Sequence, residues 1–138
     1  MKRILKVGGL VVLLIVLGVG TLIAVTFMGR KAITNGQEIN GIRIVEDGIT
    51  SLAVVPITER EVILIDAGND QEGKAVLAEL TRRGLGPDAV SAVFLTHGHP
   101  DHTGAIRHFP KARVMALEAE VPLVEGRAGS KGPVTQLF

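Results

Sequence analysis

An uncharged run near the N-terminus constrains this chain more than any other feature of its sequence. The run extends from Val7 to Gly29, and three basic residues precede it: Lys2, Arg3 and Lys6. As a helix, the run would be about 34 Å long, enough to cross a hydrocarbon core of about 30 Å. Lipid offers no hydrogen-bond partners to backbone N–H and C=O groups, and a helix pairs these groups internally. An uncharged run of this length therefore predicts a transmembrane helix. We therefore expect residues 1–30 to form an uncleaved signal anchor.

The alternative for this segment is a cleaved signal peptide, whose apolar region is usually about 7–15 residues long and followed by a small-residue cleavage site. The nearest candidate site, Ala24-Val25-Thr26, lies inside the run. More basic residues precede the run than follow it, which favours a cytoplasmic N-terminus and an exported C-terminal part. We expect a membrane-anchored domain on the periplasmic or extracellular side, or a secreted one if the N-terminus is cleaved.

The rest of the chain is nearly balanced in charge. Of the 15 lysines and arginines, three precede the run, which leaves 12 against 14 aspartates and glutamates. Basic residues do not cluster with aromatic ones, so we expect no nucleic-acid partner. The absence of cysteine excludes disulfides and thiolate ligands and is compatible with an oxidising compartment.

The residues after a predicted linker over 31–40 have the pattern of a sheet. Ile42 and Ile44 alternate with polar residues, as on a half-buried strand. The runs "SLAVVPI" and "EVILIDAG" predict a β-hairpin. The period then changes, and "NDQEGKAVLAELTRRGLG" predicts a helix with Asp70 as its N-cap and Gly84 just past its end.

The second half of the chain continues with alternating elements. We predict a strand buried on both faces in "AVSAVFLT", a short helix from about Asp101 to before Phe109, and a further strand in "ARVMAL". The segment "EAEVPLVEG" predicts a helical turn broken at Pro122, and the tail "RAGSKGPVTQLF" predicts a loop. Hairpin strands followed by strand–helix–strand units indicate an α/β domain, of the layered α+β kind, over residues 41–138.

The stretch "THGHPDHTG" holds three of the four histidines of the chain. In an extended segment, His97 and His99 point to the same side and could bind one ion at about 2.0–2.1 Å. Asp101 and His102 fall where a helix would begin, beside the first pair. Imidazole and carboxylate donors suit zinc, iron or manganese. The spacing therefore predicts a metal site made of these four residues.

This stretch resembles a known family. "HGHPDH" matches the H-x-H-x-D-H motif of the metallo-β-lactamase superfamily, and "THGHPDHTG" is most similar to its glyoxalase-, lactonase- and general hydrolase-type members. "VILIDAG" resembles the earlier strand of the family that ends in an aspartate, here Asp66. The resemblance covers about Gly41 to Phe138. It implies the N-terminal half of an αβ/βα sandwich, preceded here by one transmembrane or signal helix.

The resemblance also implies a function. His97 and His99 would bind the first of two zinc ions, and Asp101 and His102 the second. Zinc lowers the pKa of its bound water to about 7, and the hydroxide would attack an ester, thioester, lactone or amide-like bond of a small-molecule substrate. Asp101 would be the catalytic residue that orients the water or accepts its proton. Asp66 would be structural near the site, although capping the turn into Gly68 is an equally good interpretation.

The same resemblance implies further ligands downstream: a third histidine, a bridging aspartate and a last histidine. After His102 the sequence has one histidine, His108, and no aspartate. We expect His108 to lie on the helix of His102 and to face solvent. The chain is then expected to be a truncated form, the front half of a longer hydrolase. The alternatives are a non-catalytic remnant or half-domain that needs a partner chain, and a mononuclear iron oxygenase of the same superfamily.

Overall fold

The structure is a computed structural model that describes residues 2–28 and 34–129. The chain divides into two compact units, Met1–Ala32 and Ile33–Phe138. The first unit is one helix, α1, Lys2–Phe27. Its segment Gly8–Thr26 has a mean hydropathy of 2.7 and is long and apolar enough to cross a membrane. Signal sequences share these properties, so the choice between an anchor and a cleaved signal stays a prediction.

The second unit is built on one six-stranded sheet in which every strand lies beside its neighbours in the sequence. The strands are β1 Glu38–Ile39, β2 Ile42–Asp47, β3 Thr50–Thr58, β4 Glu61–Ile65, β5 Val90–Phe94 and β6 Arg113–Met115. The first four pair antiparallel because short turns join them, as predicted for β3 and β4. Strands β5 and β6 run parallel to their predecessors because longer connections precede them. The predicted mixed α/β fold is confirmed.

Helix α2, Lys74–Arg82, lies in the connection from β4 to β5 and contributes to the core of this unit. Val76 and Leu80, one helical turn apart, are buried in the same cluster as Leu64. The other large buried side chains of the cluster are Val45, Leu52, Val54, Val62, Val90, Val93, Leu95 and Phe109. Leu64 is fully buried, so Leu64→Ala would lower the free energy of unfolding by about 2–5 kcal/mol.

The predicted N-cap of α2 is wrong. The helix begins at Lys74, and Gly73 is its N-cap, with a left-handed φ of 63°. The carboxylate of Asp70 instead accepts the backbone N–H groups of Glu72 and Lys74 at 3.0 and 3.2 Å, and the bond from Glu72 lowers the pKa of Asp70. An aspartate turn therefore precedes the helix. Gly84, with a φ of 71°, lies just past its end as predicted.

Three other local predictions need correction. Strand β5 is buried on both faces only in part, because Phe94 at its end is 40% exposed. The helix of the motif, α3, is Pro100–Thr103, and a separate 3-10 turn, Ile106–His108, follows it. His108 is therefore not on the helix of His102.

The remaining differences between the predicted and the observed elements lie at the two ends of the second unit. Strand β1 lies inside the segment predicted as a linker. Pro122 lies in the first turn of α4, Val121–Val124, and does not break it, because proline is well tolerated at that position. The tail predicted as a loop lies, from residue 130 onward, outside the described residues. The domain boundaries 1–30, 31–40 and 41–138 stay predictions.

Candidate metal centre

Two parallel neighbouring strands end at the candidate site. Asp66 follows β4, and the histidine motif follows β5, so both lie at the same edge of the sheet. The backbone joins the two loops: Asp66 N–H donates to Phe94 O, and Ala67 N–H donates to His102 O, each at 2.8 Å. Residues far apart in the sequence therefore meet at the carboxyl ends of the two strands.

Three of the four predicted ligands come together. His97, Asp101 and His102 each offer a ligand atom, and these atoms all lie within 4.8 Å of one another. The imidazole rings of His97 and His102 are 3.9 Å apart between centroids. Asp101 Oδ2 lies 3.5 Å from His102 Nε2, and its side chain is 32% exposed. Two imidazoles and a carboxylate fit a divalent zinc, iron or manganese ion.

His99 lies next to this group but is not part of it. Its ring meets that of His97 edge-on, with the centroids 4.7 Å apart. It lines a cleft of about 340 Å³, together with residues that include Glu120 and Leu123. The structure thus brings His97 close to the predicted second pair as well as to His99. The assignment of individual ligands to two ions stays a prediction.

A buried carboxylate lies behind the group. Asp66 is 5% exposed, and its Oδ1 accepts the Thr96 N–H at 2.8 Å. Its Oδ2 accepts the Thr96 hydroxyl at 2.8 Å and His102 Nδ1 at 2.9 Å. Three donors satisfy this carboxylate, as burial of a polar group requires. Asp66 is thus in direct contact with the candidate site, and within the described residues its carboxylate does not cap the turn into Gly68.

The hydrogen bonds of Asp66 fix the form of both imidazoles. The Thr96 hydroxyl uses its one hydrogen to donate a hydrogen bond to Asp66. Its oxygen therefore accepts a hydrogen bond from His97 Nδ1, 3.0 Å away. His102 Nδ1 must also donate, because a carboxylate only accepts. A neutral imidazole with its proton on Nδ1 has an unprotonated Nε2, the form that binds a metal. A carboxylate behind a ligating histidine orients the ring and raises its basicity.

The backbone at this edge of the sheet is strained and closely packed. Asp66 has a φ of 61°, a left-handed conformation that residues other than glycine rarely adopt. Such outliers cluster at functional sites. Gly104 N–H donates to Gly68 O at 2.8 Å, and a Cβ at position 104 would lie 2.8 Å from that oxygen. The last glycine of the motif therefore allows α3 to approach the loop after β4.

Sequence patterns did not single out three residues that support the site: Thr96, Asp47 and Glu120. Thr96 directly precedes His97, so a local sequence pattern could have identified it. Asp47 Oδ2 accepts the backbone N–H groups of Asn69 and Asp70 at 2.6 and 2.8 Å. Asp47 and Glu120 both lie 22 residues from a backbone group that they contact, so no local pattern could have identified them.

Comparison with known proteins agrees with the fold and the motif. The profile of the metallo-beta-lactamase superfamily matches residues 45–125, which is more than half of the chain. The chain belongs to the metallo-beta-lactamase superfamily.

Individual relatives match over shorter segments. Mouse metallo-beta-lactamase domain-containing protein 1 is 40% identical over 53 residues, which are 38% of this chain and 20% of the mouse protein. The N-acyl homoserine lactonase AiiB of Agrobacterium fabrum is 46% identical over 41 residues, 30% of this chain and 15% of the lactonase. The chain thus spans about a fifth or less of these two curated relatives.

A solved structure extends the likeness to the fold. The subclass B3 metallo-beta-lactamase BJP-1 of Bradyrhizobium japonicum superposes with a TM-score of 0.57 and 28% identity. The superposition covers 65% of this chain and 35% of the lactamase.

Proposed function

We propose that this chain is a metal-dependent hydrolase with zinc as its metal. The observation that carries the proposal is the group formed by His97, Asp101 and His102 at the end of β5. The buried Asp66, which binds His102 directly and His97 through Thr96, supports it. Membership of the superfamily and the similarity to a lactonase support the reaction class.

Each residue of the site would have its own role in binding the metal or moving a proton. His97 and His102 would hold the ion through Nε2, and Asp101 would bind it and hold or accept a proton of the attacking water. A bound zinc ion supplies a hydroxide near neutral pH and polarises the carbonyl that is attacked. The buried Asp66 would orient the two imidazoles, because it contacts His102 directly and His97 through the Thr96 hydroxyl. We place Asp101 as the catalytic residue because it is the more exposed carboxylate of the two.

The substrate we propose is a small molecule with an ester, thioester, lactone or amide-like bond. The cleft beside His99, with a volume of about 340 Å³ and a lining that includes Glu120, Pro122 and Leu123, is large enough for a compact acyl group. The lactonase relative makes a lactone the first substrate to try.

Hydrolysis by the full 138-residue chain, purified in detergent with zinc, tests the proposal. We expect zinc-dependent turnover of an acyl homoserine lactone, a thioester or a chromogenic β-lactam. Asp101→Asn should lower the rate by about 100-fold, and Asp88→Asn at an exposed ion pair should leave it unchanged. A zinc-loaded wild-type chain that hydrolyses none of these substrates would contradict the proposal.

The composition of the group also favours a second candidate, a mononuclear iron oxygenase of the same superfamily. Two histidines and one carboxylate, as in His97, Asp101 and His102, form the facial triad of non-haem iron enzymes. Elemental analysis of the purified chain separates the two candidates. Zinc without iron supports the hydrolase, and iron with substrate-dependent oxygen consumption supports the oxygenase.

A partner chain belongs to an alternative candidate, a non-catalytic half-domain. One face of the sheet is buried, but the side chains that point to the other face on β3 and β4 are only partly covered: Ala53, Val55, Ile63 and Ile65. This surface favours the alternative to the hydrolase proposal, in which the chain is a half-domain that needs a second chain for turnover. Stoichiometric zinc with ordinary turnover by the isolated chain would contradict that role.

We also propose that α1 is a membrane anchor and that the remainder of the chain lies outside the cytoplasm. The exposed apolar segment Gly8–Thr26 supports this role. The hydroxyls of Thr21 and Thr26 donate to the carbonyls one turn earlier at 2.8 and 2.7 Å, so neither is left unsatisfied in lipid. The basic residues Lys2, Arg3 and Lys6, which precede the uncharged run, support the orientation.

A further inference from the structure

The segment after β6 packs onto the loop that carries His97 and His99. We name it the clamp; it consists of the 3-10 turn Glu118–Glu120 and helix α4. Glu120 Oε2 accepts the backbone N–H of Gly98 at 2.9 Å. The hydrogen bond thus reaches the peptide between the two histidines from an element 22 residues further along the chain.

Helix α4 closes on the same glycine. A Cβ at Gly98 would lie 2.7 Å from the Cβ of Leu123 and 3.0 Å from the backbone nitrogen of Val124. Gly98 is buried, and no side chain fits between it and the clamp. The clamp therefore contacts the loop twice, by a carboxylate on the N–H and by direct packing on the Cα.

Within the described residues, hydrogen bonds support the rings of His97 and His102 but not the ring of His99. Asp66 orients His102 directly and His97 through Thr96. Within residues 34–129, no hydrogen bond reaches the ring of His99. Its position thus depends on the edge-on contact with His97 and on the backbone that carries it, and Glu120 binds that backbone one residue away.

We propose that Glu120 is a positioning residue of the metal centre, an inference that rests on the proposed function. By holding the Gly98 N–H, its carboxylate fixes the direction in which the peptide presents His97 and His99. A hydrogen bond from an N–H to an ionised carboxylate is stronger than one between neutral groups. Metal ligands must be held to within about 0.5 Å of their binding geometry, and a loop without this bond would sample wider positions.

The first test needs no metal. In the full chain in detergent micelles, hydrogen exchange of the Gly98 amide is measured by NMR. We expect Glu120→Ala to raise the exchange rate by about 10-fold or more, because a hydrogen bond to a charged group is lost. Glu120→Gln keeps an acceptor oxygen and should restore most of the protection. Glu118→Ala, an exposed glutamate of the same turn, is the matched control and should change nothing.

The second test measures zinc affinity by calorimetry on the same variants. We expect Glu120→Ala to bind zinc about 10–100-fold more weakly, with Glu120→Gln and Glu118→Ala close to wild type. Circular dichroism confirms that each variant is folded. Glu120→Met, which keeps the side-chain bulk without an acceptor, replaces the alanine variant if that variant unfolds.

The outcomes separate the two claims. Zinc binding by the wild type that is unchanged in Glu120→Ala overturns the role of Glu120 and leaves the proposed function intact. Gly98 exchange that is unchanged in that variant overturns the role in the same way. A wild-type chain that binds no zinc overturns the proposed function, and the role of Glu120 at a metal centre with it.

Discussion

At the scale of single residues, Asp66 and Thr96 determine the tautomer and the orientation of His97 and His102. The sequence resemblance predicted that Asp66 lies near the site. It did not predict that Thr96 would connect the carboxylate to His97, because Asp66 and Thr96 are 30 residues apart in the sequence. Short motifs identify ligands, whereas the partner of each ligand depends on how two loops fold against each other.

The role of Thr96 leads to a prediction about His97. Thr96→Val removes the hydroxyl and keeps the shape of the side chain. We expect His97 to lose its preference for a proton on Nδ1 and to populate both neutral tautomers, because its hydrogen-bond acceptor is gone. The ¹⁵N shifts of the ring, measured at about pH 8 in the metal-free chain, report the tautomer.

Thr96→Ser is the matched control for this prediction. It keeps the hydroxyl and should preserve the Nδ1–H form of His97. His102, which binds Asp66 directly, should keep its tautomer in both variants. A valine variant whose His97 spectrum equals that of the wild type would show that the hydroxyl does not set the tautomer.

At the scale of elements, a buried carboxylate ties α2 to the sheet. Glu79 on α2 is 7% exposed and binds three arginines: Arg43 of β2 at 2.9 Å, and Arg82 and Arg83 at 2.7 Å. Burial by itself would raise the pKa of Glu79. The hydrogen bonds from Arg82 and Arg83 and the charge of Arg43 outweigh it and lower the pKa to about 2.

This cluster predicts a loss of stability in acid. The folded-state pKa of Glu79 lies below its usual value of 4.5, so its contribution is fully present above that value. It is lost as the pH falls from about 4.5 to about 2, and we expect the loss to be roughly 2–3 kcal/mol. Denaturant unfolding of the chain in detergent across this pH range measures it.

Glu79→Gln is the control for the acid prediction. The amide has the shape of the acid but no charge, so it should lower stability near neutral pH and flatten the pH dependence between about 4.5 and 2. Glu118→Gln, at an exposed site, should leave the curve of the wild type unchanged. Equal slopes in Glu79→Gln and the wild type would show that other groups cause the acid sensitivity.

The close approach of α3 to the loop after β4 leads to a prediction for Gly104. In Gly104→Ala the new Cβ would lie 2.8 Å from the carbonyl oxygens of Gly68 and Asn69, and backbone atoms cannot easily move away. We expect a loss of about 1–3 kcal/mol in the free energy of unfolding. Gly86→Ala, where a Cβ meets nothing within 4 Å, should change it by less than about 0.5 kcal/mol. Equal stabilities of the two variants would contradict the close approach.

The elements differ in how well their sequence predicted them. Gly84 ends α2 as the local pattern indicated, because a left-handed glycine needs no distant partner. The start of α2 was predicted at Asp70 and lies at Lys74. At that end the chain passes close to Ala105, where a Cβ on Gly73 would lie 3.0 Å from that side chain. Contacts between distant segments decide such a boundary, and a local pattern does not contain them.

At the scale of the whole molecule, the sequence predicted the fold class of the mixed sheet. It predicted the candidate site only in part. Alternating and uninterrupted apolar runs predicted the strands, and the change of period predicted α2. The close approach of His97 to Asp101 and His102 was not predictable. It depends on the turn from β5 into α3, which the clamp and the loop after β4 shape together.

The N-terminal helix leads to a prediction about the whole chain. Expressed in a bacterial host with a C-terminal tag, the chain should stay in the membrane after an alkaline carbonate wash and keep the full mass of its 138 residues. The reason is the apolar length of Gly8–Thr26, which can span the hydrocarbon core. A shorter product in the soluble fraction would indicate a cleaved signal. A chain that lacks residues 2–28 is the control and should leave the membrane.

Calorimetric titration of the metal-free chain with zinc tests the metal centre most directly. We expect saturable zinc binding by the wild type, and a loss of affinity of at least about 10-fold in His102→Ala. His108→Ala, whose ring contacts the carbonyl of Gln71 outside the group, should bind zinc as the wild type does. Zinc binding that is absent in the wild type, or equal in His102→Ala and His108→Ala, would contradict a metal centre at His97, Asp101 and His102.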